Sequence, residues 1–301
     1  MATATAAPPE RRARVGARRR RSLIPLVLLA PGLLWLAIFY VVPVLNQLFV
    51  SLQEGNIEIG YDFAWNWSTY SDALSDFREQ FLRSIQYAAM ATVLAFVIAF
   101  PLAYFIAFKA GRWKNLMLLL IVLPFFTSYL VRTVAWQTIL ADGGWVVARL
   151  TDLGLVDEGG RVLATTTAVV AGITYNFLPF MALPLYVSLE KIDRRLIEAA
   201  TDLYANRATA FRKVTLPLAL PGIFAGSLLT FIPAVGDYVN AQLLGSSNQY
   251  MIGNVIQSKF LVVSDYPEAA ALSFVLMAAL MLAIFVYARV LGARNLQDAA
   301  I

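Results

Sequence analysis

Six stretches of this 301-residue chain are apolar enough and long enough to cross about 30 Å of hydrocarbon: residues 23–48, 84–107, 116–140, 165–189, 218–245 and 269–292. A bilayer core offers no water to backbone N–H and C=O groups, so such runs close their hydrogen bonds internally, as helices. The expected fold is an all-α membrane protein with six transmembrane helices. Composition agrees: 59% of residues are hydrophobic and only 14% charged, against about 25% charged in soluble domains. The chain has no cysteine and no histidine. That excludes disulfides, thiolate and imidazole catalysis and most zinc sites, and no metal site is expected.

Charge is segregated rather than spread. Residues 1–22 hold Arg11, Arg12, Arg14, Arg18, Arg19, Arg20 and Arg21 with Pro8 and Pro9, a composition read as a disordered basic tail. Arg20 and Arg21 precede an apolar run that continues to about Leu45 with no small-residue cleavage site, so an uncleaved first span is expected rather than a twin-arginine leader. A basic run of this kind suits nucleic acid or an anionic lipid surface, but beside a span its ordinary role is to hold the N-terminus in the cytoplasm. Between the spans, residues 49–83 carry Glu54, Glu58, Asp62, Asp72, Asp76 and Glu79 against Arg78 and Arg83. The 108–115 loop instead holds Lys109, Arg112 and Lys114. The positive-inside rule therefore puts both termini and the basic loops in the cytoplasm, and segments 49–83, 141–164 and 246–268 outside. Residues 23–292 then form one transmembrane domain, with 293–301 a cytoplasmic C-terminal tail. Tyr61, Trp65, Trp67 and Tyr70 suit either interfacial anchoring or contact with a soluble partner.

The most informative stretch is the polar break between the fourth and fifth spans. Ile192, Leu196, Ala199, Ala200 and Leu203 recur at helical spacing, with Asp193, Arg194, Arg195, Glu198 and Asp202 opposite them. Asn206 is placed to cap a second helix whose stripe is Ala208, Phe211 and Val214, and Pro217 and Pro221 are expected to close the unit. Two short helices at the membrane edge make a rigid projection with a charged face, suited to docking a partner. The order Glu198, Ala199, Ala200, Asp202, Leu203, Ala205, Phe211, Val214, Leu216, Pro217, Pro221, Gly222, Ile223 resembles the EAA loop of binding-protein-dependent ABC importer permeases. Tyr204 stands where that pattern has glycine. A left-handed angle there costs a tyrosine roughly 1 kcal/mol or more, so a remodelled turn is expected.

No G-x-x-x-x-G-K-S/T, H-E-x-x-H or G-x-S-x-G motif occurs, so this chain is not expected to bind ATP by a P-loop or to be an enzyme. The resemblance implies that ATP is bound and hydrolysed on separate ABC ATPase subunits, with no cofactor on this chain. Glu198 would lie on the coupling helix that enters the ATPase, and Ala199 and Ala200 would allow close approach. Further implied partners are a second permease subunit and an extracytoplasmic substrate-binding protein, at a bacterial inner membrane. Nucleic acid is not among them.

Two charges fall within the apolar runs, Arg132 and Asp237, where an unpaired ion costs several kcal/mol or more. Asp237 follows Pro233 and Gly236 and neighbours Tyr238, Asn240 and Gln242, an arrangement that attracts a cation. The competing expectation is an Asp237–Arg132 pair that only holds helices together. Pro101, Pro124, Pro179, Pro184 and Pro233 predict kinks, and Gly222 and Gly226 a close helix approach. The stretches 175–193, 231–239 and 252–273 are similar to the permease subunits of spermidine/putrescine importers. With them, Tyr175 and Asn176 join Arg132, Asp237 and Tyr238 as the candidate substrate path. The same architecture carrying a sugar, an amino acid or a metal chelate is the alternative, with an ion-coupled transporter or channel behind it.

Overall fold

A computed structural model of the chain describes residues 24–298 apart from Leu155 and Glu158, so the basic tail at 1–22 lies outside the described residues. The chain divides into two units, residues 1–47 and 48–301. The described part of the first is helical: α1 (Ile24–Leu36) runs through a π turn at Ala37–Val41 into α2 (Val42–Ser51), whose end belongs to the second unit. From Leu28 to Ser51 this helix is long and apolar enough to span a membrane.

The second unit is built on three long helices, α4 (Arg78–Phe108), α8 (Thr166–Glu190) and α11 (Leu216–Val235), packed against one another. Lipid is as apolar as leucine, so the attraction between such helices comes from close van der Waals contact, which small residues permit. Ala88, Ala91, Ala95, Ala99 and Ala103 of α4 supply it: spaced three or four residues apart, all five are completely buried. They meet Ile173, Met181, Leu185 and Leu189 of α8 in two adjoining core clusters. The expected approach at the two glycines also holds. A Cβ on Gly222 would sit 2.4 Å from Ser188 Cβ, and one on Gly226 2.9 Å from Met181 Sδ.

The span expected at 116–140 is not one straight helix. A 3₁₀ turn at Gly111–Trp113 leads into α5 (Lys114–Val122), which passes into a second 3₁₀ turn at Leu123–Phe126 containing Pro124. Thr127 and Ser128 are then extended, with ψ 143° and 139°, and α6 (Tyr129–Leu140) departs at 95°. Pro124 lacks the N–H needed to continue the helix, and two extended residues complete the break. Among the described residues there are thus five helices able to span, or six with this bent pair taken as one. The fifth expected span also ends early. α11 stops at Val235, Gly236 to Tyr238 form a break, and α12 (Val239–Leu244) resumes beyond it. Gly253 of α13 (Ile252–Ser258) covers the break so closely that a Cβ would lie 2.4 Å from Gly236 O.

The segment expected outside is partly ordered as a hairpin, β1 (Gln53–Asn56) with β2 (Gly60–Phe63), Gln53 opposite Phe63, followed by α3 (Ser68–Asp76). α7 (Trp145–Asp152) lies in the 141–164 segment. α14 (Tyr266–Asp298) packs on α3 and α13, and it remains helical beyond residue 292, so the expected tail at 293–301 begins as helix.

Candidate functional site

The break between α8 and α11 folds as two short helices, α9 (Arg194–Asp202) and α10 (Arg207–Ala210). Both caps follow from the sequence. Asp193 accepts from the Arg195 N–H at 3.0 Å, and Asn206 accepts from the Thr209 N–H at 2.8 Å, each satisfying a donor the first turn leaves free. The unit is fastened to α4 at two points. Arg194 Nη2 donates to the Ala107 and Phe108 carbonyls at 3.3 and 3.1 Å, bringing a cation to the negative end of the α4 dipole. Phe211 sets its edge against Phe100 and Tyr104, with centroids 5.7 and 6.2 Å apart. The neighbouring basic loop is tied in as well, because Lys114 pairs with Glu190 at the end of α8 and lies over the Tyr186 ring.

Pro217 and Pro221 do not close the unit. The helix beginning at Arg207 continues to Val235, passing through a π turn at Phe211–Thr215. Pro217 has no N–H and its ring crowds the carbonyl one turn back, and the wider π turn just before it accommodates both. The loop and the membrane helix are therefore one mechanical piece.

Only part of the α9 stripe is used inside the chain. Ile192 is buried and Ile197 packs on the core, but Leu196 is 50% exposed and Leu203 81%. Glu198, Ala199 and Asp202 are exposed with them, and Ala200 is half-buried. The turn after α9 is not remodelled around Tyr204: its φ is 62°, the left-handed value a glycine would take. The Ala205 N–H donates to Ala200 O and the Tyr204 N–H to Thr201 O, both at 3.0 Å, which is a complete Schellman ending with tyrosine at its left-handed position. The local bonds of the turn hold tyrosine in a conformation its side chain opposes.

The second constellation sits where α6 meets the break before α12. Asp237 is 6% exposed. Its Oδ1 accepts from the Tyr129 hydroxyl and the Val239 N–H, both at 3.0 Å, and its Oδ2 accepts from Asn240 Nδ2 at 2.5 Å. Asn240 Nδ2 also reaches Tyr129 Oη at 2.6 Å, while Asn176 Nδ2 donates to Asn240 Oδ1 at 3.1 Å and Thr133 Oγ1 at 3.2 Å. Asp237 thus closes the first turn of α12 and ties it to α6 and α8. Among the described residues no ion pair joins it to Arg132. Instead Arg132, in the first turn of α6, lies over the rings of Phe125 and Tyr129 at 4.9 and 5.8 Å. Arg132 and Tyr175 line one apolar cavity of about 320 Å³, and Tyr175 packs on Trp136 with centroids 5.3 Å apart. Tyr238 is 41% exposed. Tyr129 carries no sequence signal of its own. Only the break that swings α6 toward α12 brings it to Asp237.

A third feature comes from segments far apart in sequence. Glu54, Asp72, Asp76, Asp265 and Glu268 line a polar cleft of about 330 Å³ between the hairpin, α3 and the start of α14. Lys259 pairs with Asp265 at 3.7 Å and with Glu268, and among the described residues Glu54, Asp72 and Asp76 have no basic partner.

Comparison with known proteins gives these features a context. Residues 80–297 match the family of binding-protein-dependent transport system inner membrane components. The spermidine/putrescine transport system permease protein PotB of Haemophilus influenzae is 38% identical over 256 residues, covering 85% of this chain and 90% of that protein. PotB of Escherichia coli is 34% identical over 258 residues, covering 85% and 93%. The fold is similar to a chain in the crystal structure of the bacterial alginate ABC transporter in complex with an alginate pentasaccharide-bound periplasmic protein. There the TM-score is 0.63 and the identity 19%, over 89% of this chain and 94% of that one.

Proposed function

The chain belongs to the family of binding-protein-dependent transport inner membrane components, and from that premise we propose that it forms part of the translocation path of an ATP-driven polyamine importer. The observation that carries the cargo is the identity of 34–38%, across 85% of the chain, with permeases named for spermidine and putrescine transport. The chemistry supports it. A polyamine is a flexible polycation, and the cleft lined by Glu54, Asp72 and Asp76 offers carboxylates that have no basic partner among the described residues. In this reading a substrate-binding protein delivers cargo on that side, and Tyr175, Asn176, Arg132, Asp237 and Tyr238 lie along or behind the path. Asp237 and Asn176 act from behind it, by holding the broken helix.

On the opposite side, Glu198, Ala199, Ala200, Asp202 and Tyr204 form the surface that meets an ATP-hydrolysing subunit. Pro217, Pro221 and Gly222 lie on the helix that carries its motion into the membrane. That α10 and α11 are one continuous helix supports such transmission. A second permease subunit completes the path. Uptake of radiolabelled spermidine, putrescine, a sugar and an amino acid by the reconstituted assembly tests the cargo: ATP-dependent accumulation of the polyamines alone is expected, and accumulation of the others alone overturns it. Orientation is tested by cysteines placed in the naturally cysteine-free chain. Those at Ser68 and Asp157 are expected to react with an impermeant reagent from outside, and one at Asn206 is not.

A further inference from the structure

Among the described residues, four other than glycine have a positive φ: Trp65, Ala164, Tyr204 and Ser264. Such a conformation persists only where its surroundings over-determine it. At two of them a distant part of the chain supplies support: the Ala164 N–H donates to Leu244 O at 2.8 Å, and the Ser264 carbonyl accepts from the Tyr61 hydroxyl. At the third, the Trp65 ring has a local partner, Phe63, which it meets edge-on with centroids 4.9 Å apart. Tyr204 differs. Its backbone is held only by its own turn, and its side chain is 100% exposed. Glycine would make the same Schellman ending without strain, so within this chain the tyrosine ring brings a penalty and no compensating contact.

We propose that Tyr204 is an anchor for the ATP-hydrolysing subunit and that its ring, with Leu203 and Leu196, enters an apolar recess on that partner. This rests on the reading above that the α9–α10 loop meets that subunit. Three properties of the patch specify the recess. The ring projects from a turn fixed at both ends, by the α9 ending and by the Asn206 cap, so little order is lost on docking. A tyrosine has two side-chain torsions and a polar tip, which is why the residue is enriched among the few that dominate interfaces. Exposed Glu198 and Asp202 border the patch on α9, and Arg207 borders it on α10. The matching surface is therefore an apolar slot with a hydrogen-bonding group at its floor and basic groups on the edge facing α9. A partner adapted to a loop with glycine at this position would lack the slot, so Tyr204 also sets which ATPase the permease accepts.

The test uses the full-length permease in lipid nanodiscs and its cognate ATP-hydrolysing subunit, with dissociation rates measured for the parent, Tyr204→Gly, Tyr204→Phe and Glu198→Arg. Tyr204→Gly is expected to speed dissociation by about tenfold or more, and Tyr204→Phe by a factor of about three at most. Hydrogen exchange of the 200–205 amides in the free Tyr204→Gly permease is expected to be unchanged or slower, because strain is removed. Faster exchange with the same loss of binding would make the tyrosine a structural residue and overturn the proposal. If Tyr204→Gly holds the subunit as tightly as the parent while Glu198→Arg releases it, the anchor is refuted and the docking loop stands. If Glu198→Arg also holds it, the docking reading falls, and this proposal falls with it.

Discussion

The α9–α10 loop and the break before α12 are both places where polar residues interrupt an apolar helix, yet they dispose of their polarity in opposite ways. In the loop, inward-facing groups are spent on attachment to α4, while Glu198, Asp202, Leu203 and Tyr204 are left exposed. At the break, Asp237, Asn240, Tyr129 and Asn176 consume one another's donors and acceptors almost completely. Desolvation explains the contrast. A polar group left unpaired in a buried or lipid-facing site costs several kcal/mol, whereas one left in water costs nothing until a partner arrives. A network with only Asn176 Oδ1 left over holds a shape, and an unsaturated rigid surface is available for binding.

The sharpest way to break this comparison is Glu198→Arg. It reverses the charge of an exposed side chain that has no ion-pair partner among the described residues, so the protein is expected to insert and fold with unchanged thermal stability while ATP-driven uptake falls to background. Normal uptake would mean that the exposed loop is not where the ATPase acts. Asp237→Asn probes the other region. Its new amide donor must either face the Asn240 amide, which itself donates, or, flipped, take the acceptor away from the Tyr129 hydroxyl and the Val239 N–H. The expected loss is about 2–3 kcal/mol, read as a lowered unfolding midpoint in detergent. A Tyr129→Phe, Asp237→Asn double variant should be less destabilised than the sum of the two. Full stability with weakened uptake would instead place the carboxylate in contact with cargo.

Gly222→Ala tests the close packing that carries loop motion into the membrane. With its new Cβ 2.4 Å from Ser188 Cβ, α11 and α8 must move apart, for an expected loss of about 1–3 kcal/mol and impaired coupling between ATP hydrolysis and uptake. Smallest of all is Asn206→Ala, which removes the cap of α10. About 1 kcal/mol of local stability is expected to go, seen as faster amide exchange at residues 207–210 with the break before α12 unaffected. Faster exchange at Val239–Leu244 as well would show that the two regions are mechanically linked.

The two short helices, the Asn206 cap and the exposed charged face could be read in the chain because each depends on neighbours within about five residues. The left-handed Tyr204 could not, because the sequence shows its steric cost but not that the bonds of the turn outweigh it. The spans were legible for a related reason: hydropathy is additive along a segment and needs no knowledge of what packs against it. Where a span bends was not. Pro124 and Pro179 look alike in sequence, but α8 runs unbroken through Pro179 and Pro184, held along its length by α4 and α11, while the helix at Pro124 gives way to extended residues and a 95° turn. Proline removes the same hydrogen bond in both, and packing decides whether the helix survives its loss.

The sequence by itself determined that this is a helical membrane protein with a rigid, charged loop between two of its spans, since burial of apolar runs and local capping follow from residue order alone. Only the tertiary structure decided that Pro217 and Pro221 leave the loop continuous with α11. It alone made Asp237 the partner of Tyr129 and Asn240 rather than of Arg132. It also gathered Glu54, Asp72, Asp76, Asp265 and Glu268 into one cleft. Each of these turns on which groups meet across the fold, and a buried charge takes its partner from whatever the packing brings within about 3 Å, however far away along the chain it lies.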